Sequence, residues 1–307
     1  MAKLEVLFDV LKHPSKIPFV FFVKFPQLIK DDRKYIEYIW KYRMDYSLNL
    51  DNPQTFNEKL QWLKLHDHRR EFTQMVDKQD AKKYVAEKIG EEHIIPTLEI
   101  YDSFDEIDFE KLPSQFVLKC THDSGGLAIC KDKSSFNVID AKRKIERSLK
   151  KNFYWEGREW PYKNVKPRII AEKYMVDESG SELKDYKFFC FDGEPKFFKI
   201  DFNRYINHHA NYYSMNGELL PFDELVCPRD EKANLKKPMN FEQMIELATK
   251  LAAGIPFVRV DLYNINGAVF FGELTFYPAS GMGKFSPNEW DKSIGDMLKL
   301  PISLTNP

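Results

Sequence analysis

Apolar and polar positions follow three different rhythms along the chain. In residues 1–92 they recur with helical spacing. Thr55-Phe56-Asn57-Glu58 has the form of a capping box, and Leu60, Trp62, Leu63 and Leu65 follow it, which predicts a helix start at residue 56. A second helix is predicted over residues 77–89, closed by Gly90. Residues 93–176 alternate short apolar runs with one charged amphipathic stretch. The runs at 94–100, 116–120, 127–130 and 169–175 read as strands, and 137–153 reads as a helix. Residues 180–307 carry three hairpin signals among β-formers, Asp192-Gly193, Asn216-Gly217 and Asn266-Gly267, with a helix at 241–253 between the second and third. Hairpins mixed with helices predict α+β lobes and argue against a doubly wound parallel sheet. No solenoid repeat and no low-complexity segment interrupts this order. The division expected is a helical N-terminal region (1–92), a lobe with a glycine loop (93–178) and a C-terminal lobe (179–307).

Composition narrows the function classes. The 307 residues include 46 basic and 47 acidic side chains, a net charge of −1 that argues against general electrostatic binding of nucleic acid. Twenty-five Phe and fifteen Tyr argue against disorder, because they supply ample apolar surface to offset chain entropy. The four cysteines, at 120, 130, 190 and 227, form no C-x-x-C pair and read as free thiols of a reducing cytosol. The longest apolar candidate, residues 17–25, is interrupted by Pro18 and Lys24 and is too short to span a bilayer. Glu5 and Asp9 break a signal-peptide layout, so a cytoplasmic protein is the simplest reading. Lys3, Leu7, Phe8, Lys12, Lys16, Phe19, Phe22 and Lys24 mix charge with bulk near the N-terminus. The expectation there is an amphipathic segment packed on its own protein, with a membrane-facing surface as the alternative.

Four constellations bear on chemistry. In the first, Lys119 stands near the end of a strand, and the loop Thr121-His122-Asp123-Ser124-Gly125-Gly126 leads into the next strand. Glycines let backbone N–H groups approach an anion, and the lysine adds a cation, which suits a triphosphate; a plain hairpin turn is the equal alternative. In the second, Val258, Val260 and Leu262 alternate with Arg259, Asp261 and Tyr263, and the return strand carries Glu273 and Thr275. Acids are depleted in strands, so Asp261 and Glu273 on adjacent strands suggest an oxygen-rich Mg²⁺ site. A two-residue Asn266-Gly267 turn alone would leave them on opposite faces, so a shared metal requires a bulge or an odd-length loop. The third, Glu172-Lys173-Tyr174-Met175, ends an apolar strand and reads first as core meeting solvent, second as a hinge for an adenine edge. The fourth places Asp185 and Lys187 on one face opposite Phe188, where a surface ion pair is the plain reading.

Taken in order, Asp77-Lys78, Ile95-Pro96, Lys119 with its glycine loop, Glu172 to Met175, Asp261 and Glu273-x-Thr275 resemble the ATP-grasp superfamily. Thr275 departs from the Asn usual at its position. Asn52-Pro53-Gln54-Thr55-Phe56-Asn57-Glu58-Lys59-Leu60-Gln61-Trp62 is similar to the N-terminal signature of the TupA-like ATP-grasp family of bacterial surface-polysaccharide gene clusters. The resemblance implies an ATP-grasp fold with the nucleotide between two α+β lobes. It implies ATP and Mg²⁺ as cofactors, with Lys78 and Lys119 on the triphosphate and Ser124, Gly125 and Gly126 in a lid over it. Glu172, Lys173, Tyr174 and Met175 would seat the adenine, and Asp261, Glu273 and Thr275 the metal. Lys187 and Arg259 would act on the transferred phosphoryl or the acceptor carboxylate, and Ala279-Ser280-Gly281 would offer backbone donors. The implied reaction joins a carboxylate-bearing sugar or amino acid to an amine through an acyl phosphate. Implied surroundings are the bacterial cytoplasm, with peripheral contact to membrane-bound polysaccharide machinery and no nucleic acid. A glycosyltransferase and a kinase are the rival activities; no Asp-x-Asp triplet supports the former.

Overall fold

The computed structural model describes residues 17–177, 183–202, 208–233, 235, 237–238 and 240–301. The N-terminal stretch is helical, as its spacing predicts: α1 (Ile17–Lys24), α2 (Asp32–Arg43), α3 (Phe56–His66), α4 (Glu71–Val76) and α5 (Asp80–Ile89). The capping box forms in full. The Glu58 N–H donates to Thr55 Oγ1 at 3.2 Å and the Thr55 N–H to Glu58 Oε2 at 3.0 Å, which satisfies two donors that the first helical turn leaves open. α5 begins three residues later than its pattern suggests because Asp77 caps it from outside, accepting from the Gln79 N–H at 2.8 Å.

Two antiparallel sheets follow. The smaller is built from β1 (Thr97–Tyr101), β2 (Phe116–Cys120), β3 (Leu127–Cys130) and β4 (Ile169–Lys173), in the order β1-β4-β2-β3. α6 (Val138–Leu149) packs on it and buries Ala141 and Ile145. After the short α7 (Tyr154–Gly157), the larger sheet is built from β5 (Asp185–Phe191), β6 (Glu194–Phe202), β7 (His209–Ser214), β9 (Phe257–Ile265) and β10 (Ala268–Thr275), in the order β10-β9-β5-β6-β7. β8 (Asp223–Glu224) pairs with β11 (Phe285–Ser286), and α8 (Phe241–Ala252) and α9 (Glu289–Met297) complete the fold. Of the three hairpin signals, Asp192-Gly193 and Asn266-Gly267 close hairpins with positive φ at both residues. The third, Asn216-Gly217, turns the chain onto a single bridge between Tyr213 and Leu219 and not onto a full strand.

Each sheet has its own core. Phe104, Phe116, Leu118, Ile145 and Ile169 form the smaller one. The larger joins Phe188, Phe198, Val258 and Val260 to Phe241 and Leu247 of α8, and it also takes in Phe56, Leu60, Phe72 and Val85 of the N-terminal helices. Residues 50–89 are therefore packed into the larger lobe, with Phe56 against Phe257 at 4.9 Å. The architecture is α+β with N-terminal helices. All four cysteines are buried, and no disulfide joins them.

The described part of the N-terminal segment packs in part on its own protein, as expected. Phe19 stacks on Tyr42 and Phe22 packs edge-on against Tyr38 of α2, whereas Ile17, Phe21 and Val23 stay exposed. Lys3, Leu7, Phe8, Lys12 and Lys16 lie outside the described residues. No helix among the described residues is long and apolar enough to cross a membrane.

Candidate active site

The β9–β10 hairpin settles the register question. Its turn is the tight two-residue kind, with φ of 52° at Asn266 and 84° at Gly267. Phe271 pairs with Leu262, and the register then slips at Gly272, so that Glu273 pairs with Asp261 and Thr275 with Arg259. The irregularity required is thus a bulge in mid-strand and not a longer loop. Glycine is needed there because a Cβ at 272 would lie 2.9 Å from the Asp261 carbonyl oxygen. The slip brings Glu273 onto the face of Asp261.

That face carries a row of charges across four strands. Lys199 pairs with Lys187, Lys187 with Asp261, and Asp261 with Glu273. The opposite face, with Phe188, Val258 and Val260, is apolar and covered by α8, so alternation alone separates charge from core. Arg259 grips Asp261 with two hydrogen bonds, 2.7 Å from Nε to Oδ1 and 2.6 Å from Nη2 to Oδ2. Its Nη2 also donates to Glu273 Oε1 at 2.8 Å and Thr275 Oγ1 at 3.0 Å. Lys187 Nζ donates to Asp185, lies 3.1 Å from Asp261 Oδ2 and is 3.5 Å from Asp201 Oδ2. The Asp185–Lys187 pair is buried, which corrects the surface ion pair expected from the sequence. Burial opposes the Arg259 charge, but Asp261 and Glu273 hold the guanidinium above its ordinary range. Burial also works against ionisation of Glu273, but Arg259, Lys187 and Lys78 keep its carboxyl below the usual value. Half of the Glu273 side chain faces solvent, so water screens part of that hold.

Across the cleft the charge balance is reversed. Lys119 Nζ stands 2.6 Å from Glu172 Oε2, and Lys82 reaches the other oxygen of the same carboxylate. Lys82 also donates to the Ile95 carbonyl and Thr97 Oγ1, both at 2.8 Å. Burial pushes Glu172 up, but Lys119 and Lys82 hold it below the usual carboxylate range. Lys78 donates to the Asp123 carbonyl, and its burial lowers the ammonium, with Glu273 and Asp123 pulling the other way. Within the glycine loop, Asp123 Oδ1 accepts from the Gly126 N–H at 3.0 Å. A Cβ at Gly126 would come within 2.4 Å of Cys120 Sγ, so only glycine fits. Ser124 and Gly125 are exposed at the tip. His122 turns inward to the Ser148 carbonyl at 3.1 Å.

Two cavities open between these walls. One, of about 350 Å³, is lined by Lys78, Lys82, Lys119, Glu172, Lys187 and Arg259 among others. The second, of about 290 Å³, is lined by Phe153, Glu159, Tyr162, Thr275, Tyr277 and Ser280 among others. Lys78, Asp123, Ser124, Arg259, Phe271, Gly272 and Glu273 line both, so the cavities meet at these residues. Lys173, Tyr174 and Met175 line neither; β4 ends at Lys173, and only Glu172 of that quartet reaches the cleft. Gly125 is likewise absent from both linings. Ala279 and Ser280 face the second cavity in the left-handed conformation, but the Ser280 N–H already donates to the Tyr277 carbonyl at 2.8 Å. The sequence reading missed Lys82, whose signal was its place four residues beyond Lys78, and Glu159, which has no local signal.

The residues fit a divalent cation. Asp261 and Glu273 present hard oxygens side by side, and with Asp185 and Asp201 the carboxylates outnumber the Lys187, Lys199 and Arg259 cations that face them.

Comparison with curated proteins returns no match. Among solved structures the chain is similar to D-alanine–D-alanine ligase from Helicobacter pylori (16% identity, TM-score 0.38, covering 73% of this chain and 61% of that one). It is also similar to the Bacillus anthracis D-alanine–D-alanine ligase complexed with ATP (14%, TM-score 0.42, 75% and 64%). A third is a RimK domain ATP-grasp protein from Sphaerobacter thermophilus (10%, TM-score 0.40, 74% and 69%). The chain thus spans less than two thirds of the length of the two D-alanine–D-alanine ligases. The pattern of the TupA-like ATP-grasp family matches residues 58–299, a stretch that runs from the capped α3 through both sheets and the bulged hairpin. On that match the chain belongs to the TupA-like ATP-grasp family and has its fold.

Proposed function

We propose that the protein is an ATP- and Mg²⁺-dependent carboxylate–amine ligase. The observation that supports this best is the meeting of two cavities at Lys78, Arg259 and Glu273. A ligase needs two compartments that share the point where phosphoryl and acyl transfer occur. In the reaction proposed, a carboxylate oxygen bonds to the γ-phosphorus as the bond to ADP breaks. The amine nitrogen then bonds to the carboxyl carbon as phosphate leaves, and the amine releases its proton.

Lys78, Lys82 and Lys119 suit the triphosphate, with Glu172 orienting the last two and meeting the adenine edge. Lys173, Tyr174 and Met175 would complete the adenine seat from the β4 end. The Ser124-Gly125-Gly126 loop would exclude water from the acyl phosphate. Asp261, Glu273 and Thr275 would hold Mg²⁺, which supplies charge neutralisation at the phosphate oxygens when bound. Arg259 would bind the transferred phosphoryl, and Lys187 would orient Asp261. The acceptor we infer is a uronic acid or amino acid of a bacterial surface polysaccharide, handled in the cytoplasm. The exposed Ile17, Phe21 and Val23 support a peripheral contact with membrane-bound machinery.

The test is incubation with ATP, Mg²⁺ and a panel of uronic and amino acids, with and without amines, followed by nucleotide and product mass analysis. Amine-dependent ADP with a condensed product is expected. ADP with a stable phosphorylated product would make the protein a kinase, and consumption of a nucleotide sugar would make it a glycosyltransferase; either would overturn the ligase.

A further inference from the structure

The part of the second cavity that is not shared with the nucleotide cleft has an unusual wall. Its lining consists of Met75, Val76, Leu274 and other apolar groups, the rings of Phe153, Tyr162 and Tyr277, two hydroxyls, and one charged residue, Glu159. The cations that line the cavity, Lys78 and Arg259, both belong to its shared part. A carboxylate among aromatic faces attracts cations; the buried Lys64 ammonium, over the Tyr277 ring, meets Glu159 from the protein side, and the cavity that Glu159 lines leaves room for a second.

Glu159 is held there by strained backbone. Arg158, beside it, adopts φ 56° and ψ 34°, a left-handed conformation that a non-glycine residue rarely takes. Its guanidinium lies 4.1 Å from the centre of the Tyr35 ring and 4.6 Å from that of Trp155, and it donates to the Pro26 and Ile29 carbonyls at 2.8 and 2.6 Å. Those contacts anchor the turn. On the facing side, Ala279, Ser280 and Gly281 are left-handed in succession, with φ of 49°, 54° and 60°. Lys64 of α3 ties the two turns together, with Nζ 2.7 Å from the Gly157 carbonyl and 2.8 Å from that of Ser280. The contact is too close for a side chain at 157, where a Cβ would stand 2.2 Å from Ser280 Oγ. Gln61, also on α3, holds the Gly281 carbonyl at 2.6 Å. Strain on both sides of one cavity, fixed by buried side chains, is a mark of a site held in a set geometry.

We propose that Glu159 binds the ammonium group of the amine substrate, so that this cavity takes a primary amine on an apolar or aromatic-compatible body. The inference rests on the ligase reading for its chemistry. The ammonium gives one proton to the Glu159 carboxylate, and the freed nitrogen lone pair bonds to the acyl carbon. As that bond forms, the carbon–oxygen bond to phosphate breaks, and the second proton leaves with the phosphate. Burial pushes the Glu159 carboxyl above its ordinary range, with Lys64 and the Ser280 hydroxyl restraining the shift and Glu156 adding to it, which favours uptake of that proton. Tyr162 and Tyr277 face the same carboxylate, and burial keeps both phenols neutral.

The experiment compares the full-length protein with Glu159→Gln and Glu159→Asp. The probes are ammonium chloride, ethanolamine, L-alanine and L-lysine, offered with ATP, Mg²⁺ and the uronic and amino acid panel. For Glu159→Gln we expect the KM for the amine to rise about tenfold or more, as for loss of a charged hydrogen bond. Affinity for a fluorescent ATP analogue should stay as in wild type, and Glu159→Asp should recover part of the amine KM. Amine-induced thermal stabilisation, read without turnover, should appear in wild type and vanish in Glu159→Gln. Unchanged amine KM and unchanged stabilisation in Glu159→Gln would overturn the assignment and leave the ligase standing. Amine-induced stabilisation lost in Glu159→Gln, in a wild type with no amine-dependent ADP, would keep the cation site and remove the ligase. Wild type that shows neither response would overturn both.

Discussion

Two charged clusters face one cleft, and they are built in opposite senses. Beside the small sheet, Lys82 and Lys119 clasp a single carboxylate, Glu172, and Lys78 lines the same cavity. On the large sheet, Asp185, Asp201, Asp261 and Glu273 face three cations, Lys187, Lys199 and Arg259. One wall carries surplus positive charge and the other surplus negative. A net charge of −1 for the whole chain conceals both. The separation suits a polyanion bound together with a divalent cation: phosphates complement the first wall and the metal the second. Where charges balance within a cluster they stabilise structure; where they do not, the surplus is available to a ligand.

The largest effect should come from the acidic wall. Glu273→Ala removes the half-exposed carboxylate that the bulge places beside Asp261. Turnover should fall below about a thousandth of wild type, the scale of losing one preorganised charge-stabilising group. Steady-state ADP release measures it, and near-normal activity would break the comparison. On the basic wall, Lys119→Ala should raise the KM for ATP about ten- to a hundredfold, the equivalent of one charged hydrogen bond. Near-wild-type ATP use would remove Lys119 from the nucleotide site.

Gly272→Ala tests the geometry instead of the charge. A methyl group 2.9 Å from the Asp261 carbonyl forces the bulge to shift, at a cost of about 1–3 kcal/mol. A lowered melting temperature together with a larger loss in Mg²⁺ dependence than in ATP affinity is expected. An unchanged melting curve would mean that the bulge relaxes freely.

The smallest effect concerns Glu172, and its pH dependence has a definite sign. The folded carboxyl lies below its ordinary 4.5, so the unfolded chain binds more protons in that window and stability rises with pH there. The Lys82 and Lys119 contacts therefore contribute fully above about pH 4.5, and that contribution is lost as pH falls through the folded value. Glu172→Gln should be about 1–3 kcal/mol less stable than wild type at neutral pH. The gap should close in acid, as read by denaturant titration at several pH values.

Much of the fold was readable along the chain. The limits of β2 and β3 coincide with apolar runs, α3 begins where its capping box predicts, and the Asn266-Gly267 turn is of the two-residue type. These features depend on neighbours a few residues apart, for which local rules suffice. The candidate site was legible in part, because Lys119, Asp261 and Glu273 are acids and lysines in apolar strands, where their presence demands a reason. Tyr174 and Met175 follow the end of β4, beyond the residues that line the cleft.

By itself the sequence determined the element types, the α+β class and the requirement that a bulge must exist if Asp261 and Glu273 share a face. Only the tertiary structure decided where the bulge sits, at Gly272, because that depends on how closely the Asp261 carbonyl approaches from the next strand. It also decided that Lys82 joins Lys119 on Glu172, and that Glu159 lines a cavity with Ser280, 121 positions away. Such meetings follow from packing between distant elements, and no local periodicity encodes which side chain a buried charge will face.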